Sequence, residues 1–195
     1  MATVVVPFRG SDSKRRLDPV ADEVRLRLVE AMLADVIDAA VAVGRTLVVS
    51  SEPLPLLPGV EHVDDPGHGQ GIAVRAALDA AAGMPSPYLV VNADLPCVTP
   101  RDLLALAGAI PEDGLAIARA ADGTTNALGL ADAGLFEPLY GAGSAQRYAM
   151  LAPSRLVHVP NLVDDVDTLD DLHRVADRLG PRTRAVLDEL DREAA

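Results

Sequence analysis

Two acidic segments that lie far apart in the sequence carry side chains of the kind that bind divalent cations. Asp94 follows the apolar run Tyr88–Val91, and Asp165 and Asp167 lie two positions apart after the apolar pair Leu162-Val163. Residues two apart in an extended segment project to the same side, so these two carboxylates repel each other unless a cation lies between them. We therefore expect Asp94, Asp165 and Asp167 to bind magnesium together. The alternatives are a helix cap for Asp94 and a solvent-exposed acidic surface for the other two.

The loop from Arg9 to Asp18 is the densest basic cluster near the N-terminus. Lys14, Arg15 and Arg16 follow Gly10 there, and Lys14 is the one lysine among the 17 basic residues. Small residues let the backbone approach an anion, and the neighbouring cations supply the opposite charge. The pattern predicts a triphosphate site, and a solvated basic loop is the alternative.

A Gly-rich segment, Gly67-His68-Gly69-Gln70-Gly71, precedes a predicted helix. It lacks the full spacing of a dinucleotide-binding fingerprint, so it does not indicate a Rossmann cofactor site. We expect Gly69, Gln70 and Gly71 to lie close to a nucleobase, with Gln70 contacting one edge of the base.

Two further segments offer hydroxyl groups and backbone N–H groups. Thr125 lies in the segment Gly123–Asn126, and Ser144 follows Gly141 and Gly143 at a predicted helix N-terminus, where it could cap the helix. Such groups bind phosphate or carboxylate, although they also form ordinary turns. Each segment is therefore a candidate for binding a small acid.

The elements that must position these residues alternate between strand and helix up to Asp94. The predicted strands are Thr3–Val6, Thr46–Val49, Val60–Val63, Tyr88–Val91, Leu115–Ala118, Asn126–Leu130 and Leu156–Val159. The predicted helices are Val24–Val41, Ile72–Ala82, Pro100–Ala109, Ser144–Leu151, Leu169–Leu179 and Arg182–Arg192. This order is typical of an α/β fold with a parallel sheet, in which ligands bind beyond the carboxyl ends of the strands. No repeat or linker divides the chain, so we expect residues 1–195 to form one domain.

The composition excludes several classes of protein. The formal net charge of −12 disfavours nucleic acid and anionic membranes as partners. Cys97 is the one cysteine, so neither an intrachain disulfide nor a cysteine zinc site can form. No apolar stretch approaches the length of a membrane span, and the N-terminal apolar segment is too short for a signal peptide. These features favour a cytoplasmic protein, and they leave the oligomeric state open, a homodimer included.

Taken in chain order, these motifs resemble those of the guanylyltransferases of coenzyme F420 biosynthesis, which act on 2-phospho-L-lactate or phosphoenolpyruvate. The motifs are Val6-Pro7, Lys14-Arg15-Arg16-Leu17, Asn92-Ala93-Asp94-Leu95-Pro96, Gly123-Thr124-Thr125-Asn126, Gly141–Ser144 and Asp165-Val166-Asp167-Thr168. The resemblance spans nearly the whole chain and depends on the order and spacing of the motifs rather than on any one of them.

The resemblance implies a three-layer α/β/α nucleotidyltransferase fold with a mostly parallel mixed sheet. It also implies that Lys14 and Arg16 contact the phosphates of GTP, and Arg9 stands where many relatives carry a lysine. By the same likeness the three aspartates bind Mg²⁺, with Asp94 counted among the catalytic residues beside Lys14 and Arg16. The acceptor acid would be bound by three residues of the hydroxyl-rich segments, namely Thr125, Gly141 and Ser144.

The implied reaction is transfer of GMP from GTP to phosphoenolpyruvate or 2-phospho-L-lactate, with release of pyrophosphate. Such a reaction needs no covalent nucleophile, because the acceptor phosphate is already anionic. One alternative is a cytidylyltransferase of the molybdopterin or sugar-phosphate type, although the first loop has no Gly-Gly-x-x-x-Arg pattern. Another is a nucleotide-binding regulator without catalytic activity.

Overall fold

A mixed β-sheet forms the centre of the molecule, for which the computed structural model describes residues 1–10, 21–52 and 59–193. Its strands in that part of the chain are β1 (Ala2–Pro7), β2 (Gly44–Ser50), β3 (Val60–Asp64), β4 (Tyr88–Val91), β5 (Leu115–Arg119), β6 (Thr125–Leu130) and β7 (Ser154–Leu156). Their order across the sheet is β3-β2-β1-β4-β6-β5-β7.

Strand β6 runs opposite to the rest of the sheet. It pairs antiparallel with β4 and β5, whereas the other paired strands are parallel. The first residues of β6, Thr125 and Asn126, therefore lie at the same edge as the carboxyl ends of β1 and β4. That edge is where open α/β sheets bind ligands. The mostly parallel mixed sheet predicted from the sequence is confirmed.

Helices cover both faces of the sheet. They are α1 (Asp22–Val41), α2 (Gln70–Ala80), α3 (Pro100–Gly108), α4 (Ser144–Ala149), α5 (Pro160–Val163), α6 (Leu169–Arg174) and α7 (Pro181–Glu193). One apolar core packs α1, α3, α5, α6 and α7 against the sheet, and a second packs α2 and α4 against the opposite face. Side chains alternate between the cores along each strand: Val4 and Val6 enter the first, and Val5 enters the second. The three-layer prediction is confirmed.

None of the helices in the described ranges is both long and apolar enough to cross a bilayer.

The last predicted strand is wrong in its bounds. The sequence predicts Leu156–Val159, but β7 ends at Leu156, which pairs with Ile117 of β5. Pro160 then begins the short helix α5, which is not predicted. Proline fits the first position of a helix because its fixed φ is already helical and its missing N–H would have no partner there.

Helix α6 also ends earlier than predicted. Its capping box of Thr168 and Asp171 is present as expected, but the helix stops at Arg174 instead of continuing to Leu179. A 3-10 turn, Ala176–Arg178, follows and turns the chain. The turn brings Gly180 to a position where its N–H donates to the carbonyl of Pro96 at 2.8 Å. Tertiary packing thus overrides the helical period of the sequence.

The N-terminus of α7 is capped by a side chain from another helix. The carboxylate of Asp35, in α1, is 4% exposed and accepts hydrogen bonds from the backbone N–H groups of Arg182 at 3.1 Å and Thr183 at 2.9 Å. A Cβ atom on Gly180 would lie 2.3 Å from Cγ of Asp35, so this approach requires glycine. The negative charge satisfies two N–H groups that have no partner inside the helix and opposes the positive end of the helix dipole.

Replacing Asp35 by alanine is expected to lower the free energy of unfolding by about 2–3 kcal/mol, because the N–H groups of Arg182 and Thr183 lose a charged acceptor. Urea denaturation measures this difference. The control is Asp38→Ala, one turn further along α1, which removes only a half-exposed ion pair with Arg182; its expected cost is below about 1 kcal/mol. Equal effects of the two substitutions would contradict the capping role.

Candidate active site

Three carboxylates meet at the carboxyl edge of the sheet. Asp94 lies three residues beyond the end of β4, and Asp165 and Asp167 lie in the connection between α5 and α6. One oxygen atom of each carboxylate lies within 4.8 Å of one oxygen of each of the others, and all three residues are partly buried. The convergence expected from the sequence is therefore present.

A buried valine fixes the middle of the acidic connection. Val166 is fully buried in the core, and its N–H donates to the carbonyl of Asp94 at 3.1 Å. Because neighbouring side chains of an extended segment alternate in direction, anchoring Val166 inside leaves Asp165 and Asp167 together on the other side. One backbone hydrogen bond thus joins the two acidic segments.

The carboxylate of Asp165 is placed where its negative charge is unfavourable. Burial raises the pKa of this group, and repulsion by Asp94 and then by Asp167 raises it further, while a hydrogen bond from Asn126 acts in the opposite direction. Three carboxylate oxygens at this spacing form a donor set that hard divalent cations such as Mg²⁺ and Mn²⁺ bind. A bound cation would relieve the repulsion, so the residues present fit the predicted metal.

Asn126 orients one of the carboxylates. Its Nδ2 atom donates to the carbonyl of Val163 at 3.0 Å and to Oδ1 of Asp165 at 3.4 Å. The sequence places Asn126 in a segment expected to bind the acceptor, but it does not predict this contact. The reversed direction of β6, which brings Asn126 to the acidic edge, is a property of the sheet that no local pattern reveals.

The two hydroxyl groups predicted to bind the acceptor lie together. Oγ1 of Thr125 and Oγ of Ser144 are 3.0 Å apart, and both residues are buried. Gly143, with φ of +70°, occupies the N-cap position of α4, so Ser144 is the first helical residue and not the cap that the sequence suggests. Glycine caps this helix because the left-handed conformation strains other residues.

Hydrogen bonds from a side chain of α4 hold the segment that precedes this helix. Arg147 donates to the carbonyls of Leu139 and Ala142, each at 2.6 Å, and to that of Tyr140 at 3.2 Å. Gly141 lies inside this closed turn with φ of +101°, and open space surrounds the position where its Cβ would be. The backbone of Gly141 is thus accessible, as an anion-binding role requires.

Two side-chain amides connect the Gly-rich segment to the first residue of β6. Gln70, the first residue of α2, donates through Nε2 to Oδ1 of Asn92 at 2.7 Å. Asn92 in turn donates through Nδ2 to the carbonyl of Thr125 at 3.2 Å. The sequence does not predict a role for Asn92, which bridges the two predicted substrate regions.

The glycines around Gln70 serve different purposes. Gly69 has φ of +90° and open space on its Cβ side. A Cβ atom on Gly71 would instead lie 2.6 Å from Cβ of Pro138, so Gly71 allows α2 to approach the segment before α4. The contact of these glycines with a nucleobase stays a prediction.

A Ser-His-Asp grouping lies at the carboxyl ends of β2 and β3. Oγ of Ser50 is 3.0 Å from Nε2 of His62, and Nδ1 of His62 is 3.7 Å from a carboxylate oxygen of Asp64. The hydroxyl of Ser50 donates to the carbonyl of Glu52 at 2.6 Å, and Ser50 is fully buried. Its proton is therefore directed away from the imidazole, unlike that of an activated nucleophile.

Comparison with known proteins decides the family. Residues 23–159 match the MobA-like NTP transferase domain. The chain is 36% identical to the phosphoenolpyruvate guanylyltransferase of Streptomyces scabiei, with 96% of each chain covered. It is 34% identical to the 3-phospho-D-glycerate guanylyltransferase of Phenylobacterium zucineum, with 97% of each chain covered. The chain belongs to this guanylyltransferase family of MobA-like NTP transferases.

Solved structures share the fold at lower identity. A crystal structure from Desulfovibrio desulfuricans G20, assigned to the nucleotide-diphospho-sugar transferases, superposes with a TM-score of 0.78 at 16% identity and covers 98% of this chain and 96% of its own. Rv0371c of Mycobacterium tuberculosis, crystallised in complex with manganese, superposes with a TM-score of 0.59 at 22% identity, covering 90% of this chain and 97% of its own.

Of the basic residues predicted to contact the nucleotide, Arg9 lies within the described part of the chain. Arg9 is exposed and follows Phe8, whose N–H continues the pairing of β1 by donating to the carbonyl of Val49 at 2.8 Å. Arg9 therefore lies just beyond the carboxyl end of β1, the strand that pairs with β4. Lys14 and Arg16 lie outside the described residues, so their predicted contacts with the nucleotide stay predictions.

Substitutions of two neighbouring aspartates should change the melting temperature in opposite directions. Asp165→Asn is expected to raise the melting temperature of the metal-free protein at neutral pH by a few degrees, because it removes a repelled charge. Asp164→Asn should lower it, because hydrogen bonds from Arg178 and Arg174 outweigh the burial of Asp164 and lower its pKa. Differential scanning calorimetry in the presence of a chelator measures both changes.

The stabilisation by Asp165→Asn should depend on pH. The pKa of Asp165 is raised in the folded state, so protonation favours folding, and this advantage is lost as the pH rises through the raised value. The gain from Asp165→Asn should therefore vanish below the ordinary titration range of aspartate. A gain that persists at acidic pH would show that charge repulsion is not its cause.

Proposed function

We propose that this protein transfers GMP from GTP to a phosphorylated three-carbon acid, with phosphoenolpyruvate as the first candidate, and releases pyrophosphate. The observation that carries the proposal is the position of the carboxylates of Asp94, Asp165 and Asp167. They lie at the carboxyl edge of the sheet, between the end of β1, where the predicted GTP loop begins, and the Thr125–Ser144 pair. Membership of the guanylyltransferase family supports the same reaction.

In the proposed reaction, an oxygen of the acceptor phosphate attacks the α-phosphorus of GTP. The new bond joins that oxygen to the α-phosphorus, and the bond between the α-phosphorus and the oxygen bridging to the β-phosphorus breaks. Magnesium, when bound, supplies charge neutralisation on the phosphate oxygens. Phosphate monoesters carry most of their second charge at neutral pH, so a dedicated general base is not needed.

The side chains contribute by holding the reactants in place. Asp94, Asp165 and Asp167 would bind the divalent cation. Lys14 and Arg16, together with Arg9, would supply positive charge to the triphosphate. Alignment of nucleophile and leaving group is a large part of catalysis in phosphoryl and nucleotidyl transfer, so rigid positioning of these groups contributes directly to the rate.

The acceptor site should recognise a carboxylate and a phosphate on a short skeleton. The Thr125 and Ser144 hydroxyls and the accessible backbone of Gly141 are neutral donors of the kind that bind such anions. Relatives named for phosphoenolpyruvate and 3-phospho-D-glycerate are 36% and 34% identical to this chain over nearly its whole length, and one named for 2-phospho-L-lactate is 37% identical over 64% of it. All three acids carry both anionic groups, so phosphoglycerate joins the two acceptors expected from the sequence.

A matrix of nucleotides and acids tests the reaction. GTP, CTP, ATP and UTP would each be incubated with magnesium and one of the three acids, and the product would be detected by mass spectrometry together with pyrophosphate release. We expect product with GTP and at least one acid. Product with CTP in place of GTP would favour the cytidylyltransferase alternative, and inactivity in every combination would falsify the proposal.

Removing one carboxylate should separate catalysis from binding. Asp94→Asn and Asp167→Asn are each expected to lower kcat about 10²-fold to 10⁴-fold, because electrostatic stabilisation of the transition state is lost. Steady-state kinetics with GTP measures the loss. Asp170→Asn is the matched control, since Asp170 is exposed in the first turn of α6 and lies outside the three-carboxylate group. A regulator without catalytic activity would show no turnover to lose in any of these variants.

Other expectations from the sequence belong to the same proposal. They are one nucleotidyltransferase domain over residues 1–195, magnesium as the metal used, a cytoplasmic location and a part in coenzyme F420 biosynthesis. A homodimer is compatible with the proposed reaction.

A further inference from the structure

The acidic connection that carries Asp165 and Asp167 is spanned by one arginine. Arg174 lies at the end of α6 and donates through one terminal nitrogen to Oδ1 of Asp164 and through the other to Oδ1 of Asp171, each at 3.0 Å. Asp164 immediately precedes the first of the two predicted ligands, and Asp171 lies four residues beyond the second. One planar guanidinium therefore connects the two ends of the segment.

Asp171 connects Arg174 to the backbone of the second predicted ligand, Asp167. Its Oδ2 atom accepts the backbone N–H of Asp167 at 3.2 Å and that of Thr168 at 2.9 Å, while Oδ1 is held by Arg174. The position of the Asp167 backbone thus depends on how Asp171 is oriented. Asp164 is held by Arg174 and also by Arg178. Removing Arg174 would leave Asp164 anchored but would break its connection to Asp171.

The segment needs such a restraint because it carries charges that repel one another. Val166 anchors the middle through burial and its hydrogen bond to Asp94. Without a further restraint, the backbone on either side of Val166 would relax and increase the separation of the Asp165 and Asp167 carboxylates. Metal sites lose affinity when the residues that orient their ligands are removed, because the ligands must then be ordered as the ion binds.

We propose that Arg174 is a positioning residue of the divalent-cation site, which holds Asp165 and Asp167 at the spacing that a cation requires. The inference rests on the metal site of the proposed function. Arginine suits this role because its planar fork directs two N–H groups to two carboxylates at once, whereas the ammonium group of a lysine is a single point charge. With about half of its side chain exposed, Arg174 should affect metal affinity more than overall stability.

Direct titration of Mn²⁺ tests this role without requiring turnover. The full-length protein would be titrated in the absence of nucleotide, with free Mn²⁺ followed by electron paramagnetic resonance. Arg174→Met is expected to raise the Kd for Mn²⁺ about tenfold. Arg174→Lys, which keeps the charge but not the fork, should restore only part of the affinity.

Arg182→Gln provides a matched control. Arg182 is exposed to the same degree as Arg174 and forms a two-point contact with Asp38, but that contact lies between α7 and α1. This variant should bind Mn²⁺ like the wild-type protein. Melting temperatures of all variants, measured with a chelator, should stay within a few degrees of one another.

The outcomes distinguish this inference from the metal site on which it depends. Asp165→Asn is titrated in parallel and should lose most of its Mn²⁺ binding. If Asp165→Asn binds like the wild-type protein, the metal site is wrong and the role of Arg174 falls with it. If Asp165→Asn loses binding while Arg174→Met or Arg174→Lys retains the wild-type Kd, only the positioning role is overturned. Should Arg174→Met fail to fold, the lysine variant decides.

Discussion

Mutual repulsion among three carboxylates is the constraint on which the site depends. The charges of Asp94 and Asp167 act against that of Asp165, which partial burial also disfavours. The chain offsets this cost through apolar packing. Val166 is fully buried between two of the aspartates, and its backbone N–H is bonded to the third. A residue of the apolar core thus holds the three carboxylates at a spacing that their charges disfavour.

The direction of β6 determines which side chains lie beside the three carboxylates. If β6 ran parallel to its neighbours, Thr125 and Asn126 would lie at the opposite edge of the sheet, roughly 17–20 Å away for a strand of this length. Reversing one strand instead brings an amide to Asp165 and a hydroxyl to Ser144. Consecutive residues of one strand therefore contact the predicted acceptor region and the three-carboxylate group, so the sheet fixes the relative position of these two contacts.

Local sequence patterns predict the strands, the helices and the group of three aspartates. These features depend on the alternation of side chains along a strand, on the helical period and on carboxylates that follow buried strands. Local patterns fail where a contact depends on distant parts of the chain. Asp35 reads as a polar residue in a helix, yet it caps a helix almost 150 positions later. Asn92 follows a predicted strand and Asn126 begins another, but their contacts appear only once β4 and β6 are adjacent. The predicted strand Leu156–Val159 ends at Leu156 instead, and Pro160 begins a helix that the sequence does not predict. Lys14 and Arg16 lie outside the described residues, so the nucleotide side of the site remains a sequence prediction.

The close packing of Gly71 against Pro138 couples α2 to the segment before α4. Position 71 cannot gain even a methyl group without displacing the segment that leads into Gly141. A shift of either segment is therefore transmitted to the other through direct steric contact. Because these two segments carry the predicted nucleobase and acceptor contacts, a replacement that reshapes one predicted site would need a compensating replacement across that contact to leave the other unchanged.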